Sequence, residues 1–407
     1  MAMIDGLLLG GRSELEGTGL GAGIAYRLRA PCEISRTEGI GGWSVESVTG
    51  KSTIVARSSQ AFSRREAIAT GTECIQRFLD LVSYEQFKIS ELSGVGDSHV
   101  ILYTEGGRTI VEVMATDDLT LDVSAKVTVY DRDGNPKLAA PGPPPVWTPA
   151  LRFYRLSQAS SDLYEAYRNL WLGLEALLST INPKRAGEGE RKWLRRVLAD
   201  VGARIGVEPS YSDNMNLVDY MLVNQYERMR CHLFHAKPED GMAAPTLPDP
   251  EALALAYAQL IRIWRDIAHH FIGVRQSGIG VVTYEGFKSL LLASFSSGLG
   301  VVYSDSRALA GGDDAQINPG GAARIELEST HYKEGAMPGL VSLSASLVTA
   351  GHISLPPLWR FGCEIGPKKE LFCVGRVEGG LWLSGVDQLD ILQVFRLKNA
   401  SSPKVSF

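Results

Sequence analysis

"DLYEAYRNLWLGLEALLSTINP", residues 162–183, is the stretch on which a reading of the fold turns. Asp162 and Glu165 suit a helix N-terminus, where side-chain oxygens accept from unpaired backbone N–H groups. Asn182-Pro183 ends the helix. Between them Leu163, Tyr167, Leu170, Leu174, Leu178 and Ile181 recur on one face. A single apolar stripe must be buried against something, so the neighbouring segments decide what this helix packs on.

Three further helical patterns surround it. One is short and basic, around residues 191–203. Another covers about 217–234, with Val218, Leu222, Tyr226, Met229 and Leu233 as its stripe. The last opens at Asp249-Pro250, a cap followed by proline at the first helical position, and carries Leu253, Tyr257, Leu260, Trp264, Ile267 and Phe271. Four one-sided helices predict a four-helix bundle over residues 151–275. The segments on either side differ. Residues 1–140 alternate β-branched runs ("STIVARS", "SHVILYTEGGRTIVEVMA", "SAKVTVYDRDGNPKL") with turns, and hold one helix announced by the capping box Ser63-x-x-Glu66. Residues 276–407 contain short strand-like runs, "IGVVTYEG", "GLGVVYSDS", "ARIELES", "LVSLSASLV", "ELFCVGRV", "GLWLSGV" and "LDILQVFRL", spaced as in a sandwich. The proline-rich 139–147 suits a boundary, and residues 141–150 are taken as a linker. The expected fold class is α+β multidomain. A central all-α four-helix bundle (151–275) is flanked by an α+β N-terminal domain (1–140) and a β-rich C-terminal module (276–407).

Bulk properties narrow the function. The 407 residues are 44% hydrophobic and 21% charged, with net charge −5, so no global field favours nucleic acid or anionic membrane. Five scattered cysteines, an odd number with no CxxC pair, fit free thiols in a reducing compartment. The N-terminus lacks a signal-peptide pattern and no apolar run reaches membrane-spanning length. A soluble, cytoplasmic protein without a membrane partner is expected. "GTGLGAG" (17–23) has neither the Lys-Ser/Thr of a phosphate loop nor a βαβ context and reads as a loop or irregular strand. "DRDGN" (131–135) reads as a hairpin turn rather than a calcium loop. His269 and His270 are adjacent, which on a helix turns them about 100° apart. No metal site and no cofactor are expected.

The chemistry concentrates in "YERMRCHLFHAKP", residues 226–238, and in the basic "NPKRAGEGERKWLRR", residues 182–196. The second reads as a solvated face or as a landing strip for a phosphate backbone. Residues 151–275 hold 16 basic and 15 acidic side chains, too balanced for tight nonspecific binding. "RCHLFH" places His235 five positions after Arg230. With the bundle pattern around it and the terminating "HAKP", this region resembles the HEPN domains, helical bundles with an Arg-x4–6-His motif late in the fold. Many HEPN members are metal-independent ribonucleases that act as homodimers, and others are inert dimerisation or binding modules. The resemblance implies RNA as partner, a homodimer through the bundle, Arg230 stabilising phosphate and His235 transferring a proton, the latter two being the candidate catalytic residues. Lys237, Arg228 and His232 are candidate RNA-binding residues. A histidine that titrates near neutrality and an arginine fork are the groups such chemistry requires. Cys231 departs from the family's usual Asn, Asp or His after the motif arginine. On an ideal helix Arg230 and His235 stand about 140° apart, so the helix must end early or a second subunit must complete the site. "YRLSQASSDLYEAYRNLWLGLEALLS" with "GEGERKWL" is also similar to bacterial methylamine utilization protein J-like proteins. The expected function is a HEPN-type metal-independent endoribonuclease, a defence or stress effector governed by its flanking domains, whose ligand or trigger the sequence does not name. The alternative is a non-catalytic binding scaffold in which Arg230 and His235 pair with acids such as Glu175. A third reading is a sugar- or ligand-binding C-terminal module.

Overall fold

The computed structural model describes residues 1–12, 19–86, 90–93, 98–121, 130, 133, 146–160, 162–205, 216–234, 250–273, 282–307, 324–334 and 339–397. The chain divides into two compact units. One is built from residues 1–120 and 284–398, the other from 121–283 and 399–407.

The first unit is organised by a 14-stranded mixed sheet. Its N-terminal strands are β1 (Ala2–Ile4), β2 (Leu7–Arg12), β3 (Gly19–Leu20), β4 (Ala22–Arg27), β5 (Arg36–Ile40), β6 (Trp43–Ser47), β7 (Thr53–Ser58), β8 (Ser98–Glu105) and β9 (Arg108–Leu119). The C-terminal strands are β10 (Leu299–Ser304), β11 (Arg324–Glu326), β12 (Glu328–Glu334), β13 (Leu340–Ile365) and β14 (Glu370–Leu397). The main path runs β11-β10-β13-β14-β9-β8-β4-β7-β6-β5. The seam is β9 against β14, a parallel pairing from Ile110↔Gln388 to Leu119↔Leu397, while the neighbouring pairs β8/β9 and β13/β14 are antiparallel. Both seam strands are buried as interior parallel strands must be: Val111, Val113, Leu389, Ile391 and Phe395 are each at most 2% exposed. The β8–β9 turn is Gly106-Gly107, both at positive φ, the geometry that a two-residue hairpin turn requires.

This sheet corrects the expected fold class. The separate α+β and β-rich modules do not exist as such, because both segments contribute strands to one sheet, and a central all-α four-helix bundle does not define the architecture. Three C-terminal runs read as separate strands are stretches of the single long β14, which folds along the nearly as long β13 with register shifts, one of them at Pro356-Pro357, which offer no N–H to the ladder.

Helix α1 (Arg64–Gln86) packs Ala67, Cys74, Ile75, Phe78, Leu79 and Val82 on Ile24, Trp43, Val45, Ile54 and Ala56 of the sheet. The expected capping box closes its start: Ser63 N–H donates to Glu66 (3.1 Å) and Glu66 N–H to Ser63 Oγ (3.5 Å). Gly71 lets the helix approach, since a Cβ there would stand 2.5 Å from Ile24.

The second unit is helical: α2 (Pro149–Ala159), α3 (Leu163–Ile181), α4 (Glu190–Ile205), then α5 (Leu217–Tyr220) running through a π-helical segment (Met221–Arg230) into α6 (Cys231–Phe234), and α7 (Pro250–Ile272). Asp162 caps α3 by accepting from Glu165 N–H at 2.8 Å. α2, unforeseen from the sequence, stacks Tyr154 on Trp264 of α7 (centroids 4.5 Å apart) and joins Ser157 to Tyr257 at 2.7 Å. A further unforeseen helix, α8 (Tyr284–Ser296), belongs to the sheet unit, where Phe295 meets Phe372 and Phe395. Most of "SAKVTVYDRDGNPKL" and most of the proline-rich run fall outside the described residues. Among the described residues no helix is long and apolar enough to cross a membrane.

Candidate functional site

The candidate site is built around the π-helical segment. There the N–H groups reach back five residues instead of four, as Cys231 N–H does to Tyr226 O, and such insertions collect at functional sites. A polar anchor holds it. Gln225 is fully buried and its amide is satisfied on every side: it accepts from Tyr167 of α3 at 2.8 Å and donates to Tyr220 (2.9 Å) and to Ala256 O of α7 (2.9 Å). An unpaired amide there would be costly, so the segment is tied to both helices. The wider winding also shifts the buried face. Leu217, Tyr220, Met221, Leu222 and Gln225 are buried, whereas Tyr226 and Leu233 of the expected stripe are only partly so.

Arg230 closes the segment. Its Nη2 lies 2.9 Å from Glu190 Oε1 at the start of α4 and 3.7 Å from Glu175 Oε1 on α3. Its guanidinium also sits over two rings, Tyr226 at 5.3 Å and Phe234 at 5.1 Å. The side chain is only 14% exposed, and Nε is buried without a hydrogen-bond partner among the described residues. The two carboxyls share this one cation. Burial, and then the hydrogen bond with Glu190, push Glu175 up to about 7, against the opposing pull of Trp171 Nε1, which donates to it at 2.6 Å. Near neutral pH Glu175 therefore carries a proton about half of the time.

Glu190 and Tyr226 also line an open cleft of about 660 Å³ with Gly189, Arg191, Lys192 and Arg195. Arg191 is engaged by Glu227 at 2.6 Å. Lys192 and Arg195 are exposed. Arg196, one residue on, is consumed structurally: it binds Glu188 (2.8 and 2.9 Å), Asn182 Oδ1 (2.7 Å) and Pro183 O (3.0 Å). That grip, foremost the hydrogen bonds from Arg196, holds Glu188 down at about 2.

The residues singled out from the sequence thus divide. Arg230 reaches across to α3 and α4. Arg228 is exposed and donates to Asn224 (3.2 Å) on its own helix, and His232 Nδ1 meets Glu227 O at 3.0 Å, again on its own helix. His235 and Lys237 lie outside the described residues. Trp171, Glu190 and Tyr226 were not foreseen as members of the site. The available signal was weak: Glu175 follows Trp171 by one helical turn and is a charge beside the apolar face of α3, which demands a partner.

Comparisons with protein families, characterised proteins and solved structures find no match to this chain.

Proposed function

We propose that the helical unit binds an anionic partner, with RNA the expected one, and that Arg230 serves as a positioning residue rather than as the phosphate grip of a ribonuclease. The observation that carries this reading is the occupied guanidinium. A grip on phosphate needs a fork of N–H donors turned to the ligand. Arg230 instead gives its Nη2 to Glu190 and Glu175 and is covered by two rings. Among the described residues lining the cleft, the cations left for a ligand are Lys192 and Arg195, enough for weak, salt-sensitive attraction to a phosphate backbone.

The ribonuclease reading is the second, and one observation favours it. Glu175, at about 7, has the affinity for protons that a general base requires at neutral pH, and it stands one residue from the cleft through Glu190. One experiment separates the two. Wild type and His235→Ala are incubated with a mixed RNA pool in EDTA, while binding is followed by anisotropy. Salt-sensitive binding, weakened in Lys192→Ala/Arg195→Ala, with no products ending in 2′,3′-cyclic phosphate, is the expected result. Cleavage by wild type that His235→Ala abolishes would establish the ribonuclease. Neither binding nor cleavage would overturn both.

A further inference from the structure

The sheet unit holds a second chemical constellation, independent of the cleft. Cys363 on β13 and Cys373 on β14 are direct cross-strand partners in the antiparallel ladder. Residues placed so have Cα atoms about 4.5–5.5 Å apart and side chains on the same face. That separation lies within the range a disulfide spans without backbone movement. Both are free thiols in this structure. The Cys373 thiol lies beside the Cys363 sulfur and the carboxyl of Asp117 on β9. Cys363 is fully buried, whereas Cys373 and Asp117 are partly exposed, so of the two cysteines Cys373 is the one nearer to solvent. The register shift immediately after Cys363 leaves that point of the ladder irregular. The remaining cysteines differ: Cys32 and Cys74 are buried and donate to the carbonyls of Ile34 and Ile40, and Cys231 stands in the helical unit.

We propose that Cys363, Cys373 and Asp117 form a thiol–disulfide exchange site that takes small-molecule disulfides of the glutathione type as its reactant. Cys373 gives its proton to Asp117 and its sulfur attacks one sulfur of the disulfide. The S–S bond of the reactant breaks, and one thiol leaves after taking up a proton. Cys363 then attacks the Cys373 sulfur of the mixed disulfide, passing its proton to the second departing thiol. The two protein thiols are oxidised to one disulfide, and the reactant is reduced to two thiols. The neighbouring Cys363 thiol, and then burial, push the Cys373 thiol up, so at rest it is protonated and needs a base; burial raises Asp117 as well, which makes its carboxylate a stronger one.

The sequence makes the test direct. Lys368 and Lys369 lie between the two cysteines, so trypsin releases them on different peptides, 361–368 and 370–376. The full chain is incubated with oxidised glutathione, quenched with acid and digested without reduction. The expected product is those two peptides joined, lighter by two hydrogens than their sum, and separated again by dithiothreitol. In Cys363→Ser the adduct of glutathione should persist on Cys373. Asp117→Asn, which leaves both cysteines in place, should form the same crosslink on the order of tenfold more slowly. Both peptides remaining free while Cys231 acquires glutathione would overturn the proposal, as would a crosslink that forms only in urea. An unchanged rate in a folded Asp117→Asn would remove the carboxyl from it.

Discussion

Two arginines of this protein meet carboxylates in opposite ways. In the sheet unit Arg64 faces Glu112 fork to fork: Nε donates to Oε2 at 2.8 Å and Nη2 binds the other oxygen. One cation meets one anion, and Glu112 is only 8% exposed. In the helical unit Arg230 meets two carboxyls through one nitrogen, both more open, at 23% and 30%. The matched pair has little freedom left: both carboxylate oxygens of Glu112 are taken up by the one guanidinium. The mismatched cluster retains a proton that can move, a raised Glu175 and a mouth onto the cleft. Matched geometry marks scaffolding, while mismatch is where chemistry or regulation has room.

That contrast can be broken or sharpened by experiment. Arg64→Ala should have the largest effect, about 3 kcal/mol of lost stability, because it strands a buried carboxylate that also faces Asp390, its direct partner on β14. Urea titration of the full chain measures it. Arg230→Ala should cost less, about 1–2 kcal/mol, since Glu175, already raised to about 7, can relax by taking up a proton. If Arg230→Ala proves the costlier, the contrast fails.

The next prediction concerns pH. The folded value of Glu175, about 7, lies above its ordinary 4.5. The folded state therefore binds the proton more tightly than the unfolded chain does. Stability contributed by this group is full below about 4.5 and is lost as pH rises through about 7. Glu175→Gln, which mimics the protonated form, should flatten that decline and leave the variant about 1 kcal/mol more stable than wild type at mildly alkaline pH, after allowance for its partly open rim. An unchanged pH profile would show that Glu175 is ionised throughout. The smallest effect is expected for Tyr226→Leu, about 0.5–1 kcal/mol, the loss of one ring beneath the Arg230 guanidinium. The same substitution should lower the pH at which Glu175 titrates little, because the ring carries no formal charge, and the nuclear magnetic resonance shift of the carboxyl carbon reads this directly.

How much of this was legible beforehand can be judged residue by residue. Asp162 as a cap and the Ser63–Glu66 box are local devices whose bonds run between near neighbours, so their spacing announces them. Arg230 stood out by its composition and neighbours, and pairing with Glu175 was one of the readings open to it. Glu190 was hidden in a basic run whose average charge concealed it. The π-helical winding escaped because a stripe counted at 3.6 residues per turn assumes the bond pattern it is meant to detect, and the decisive anchor, Gln225, is polar. "VVTYEG" was read as strand where α8 begins, since a short apolar run fits either state. The Cys363–Cys373 pair lay ten residues apart with no spacing motif, and became a pair only when β13 and β14 folded against each other.

By itself the sequence determined the local elements of this protein: the capped helices and the segments whose apolar faces demanded burial. Those are set by backbone sterics and by hydrogen bonds closed within a few residues. Only the tertiary structure decided that strands from the two ends of the chain share one sheet through β9 and β14. It likewise decided that one arginine serves two carboxyls, and that two thiols and an aspartate meet. Each of those depends on contacts between residues far apart in sequence, where the gain comes from mutual burial and pairing, and no residue carries a local mark of which distant partner it will have.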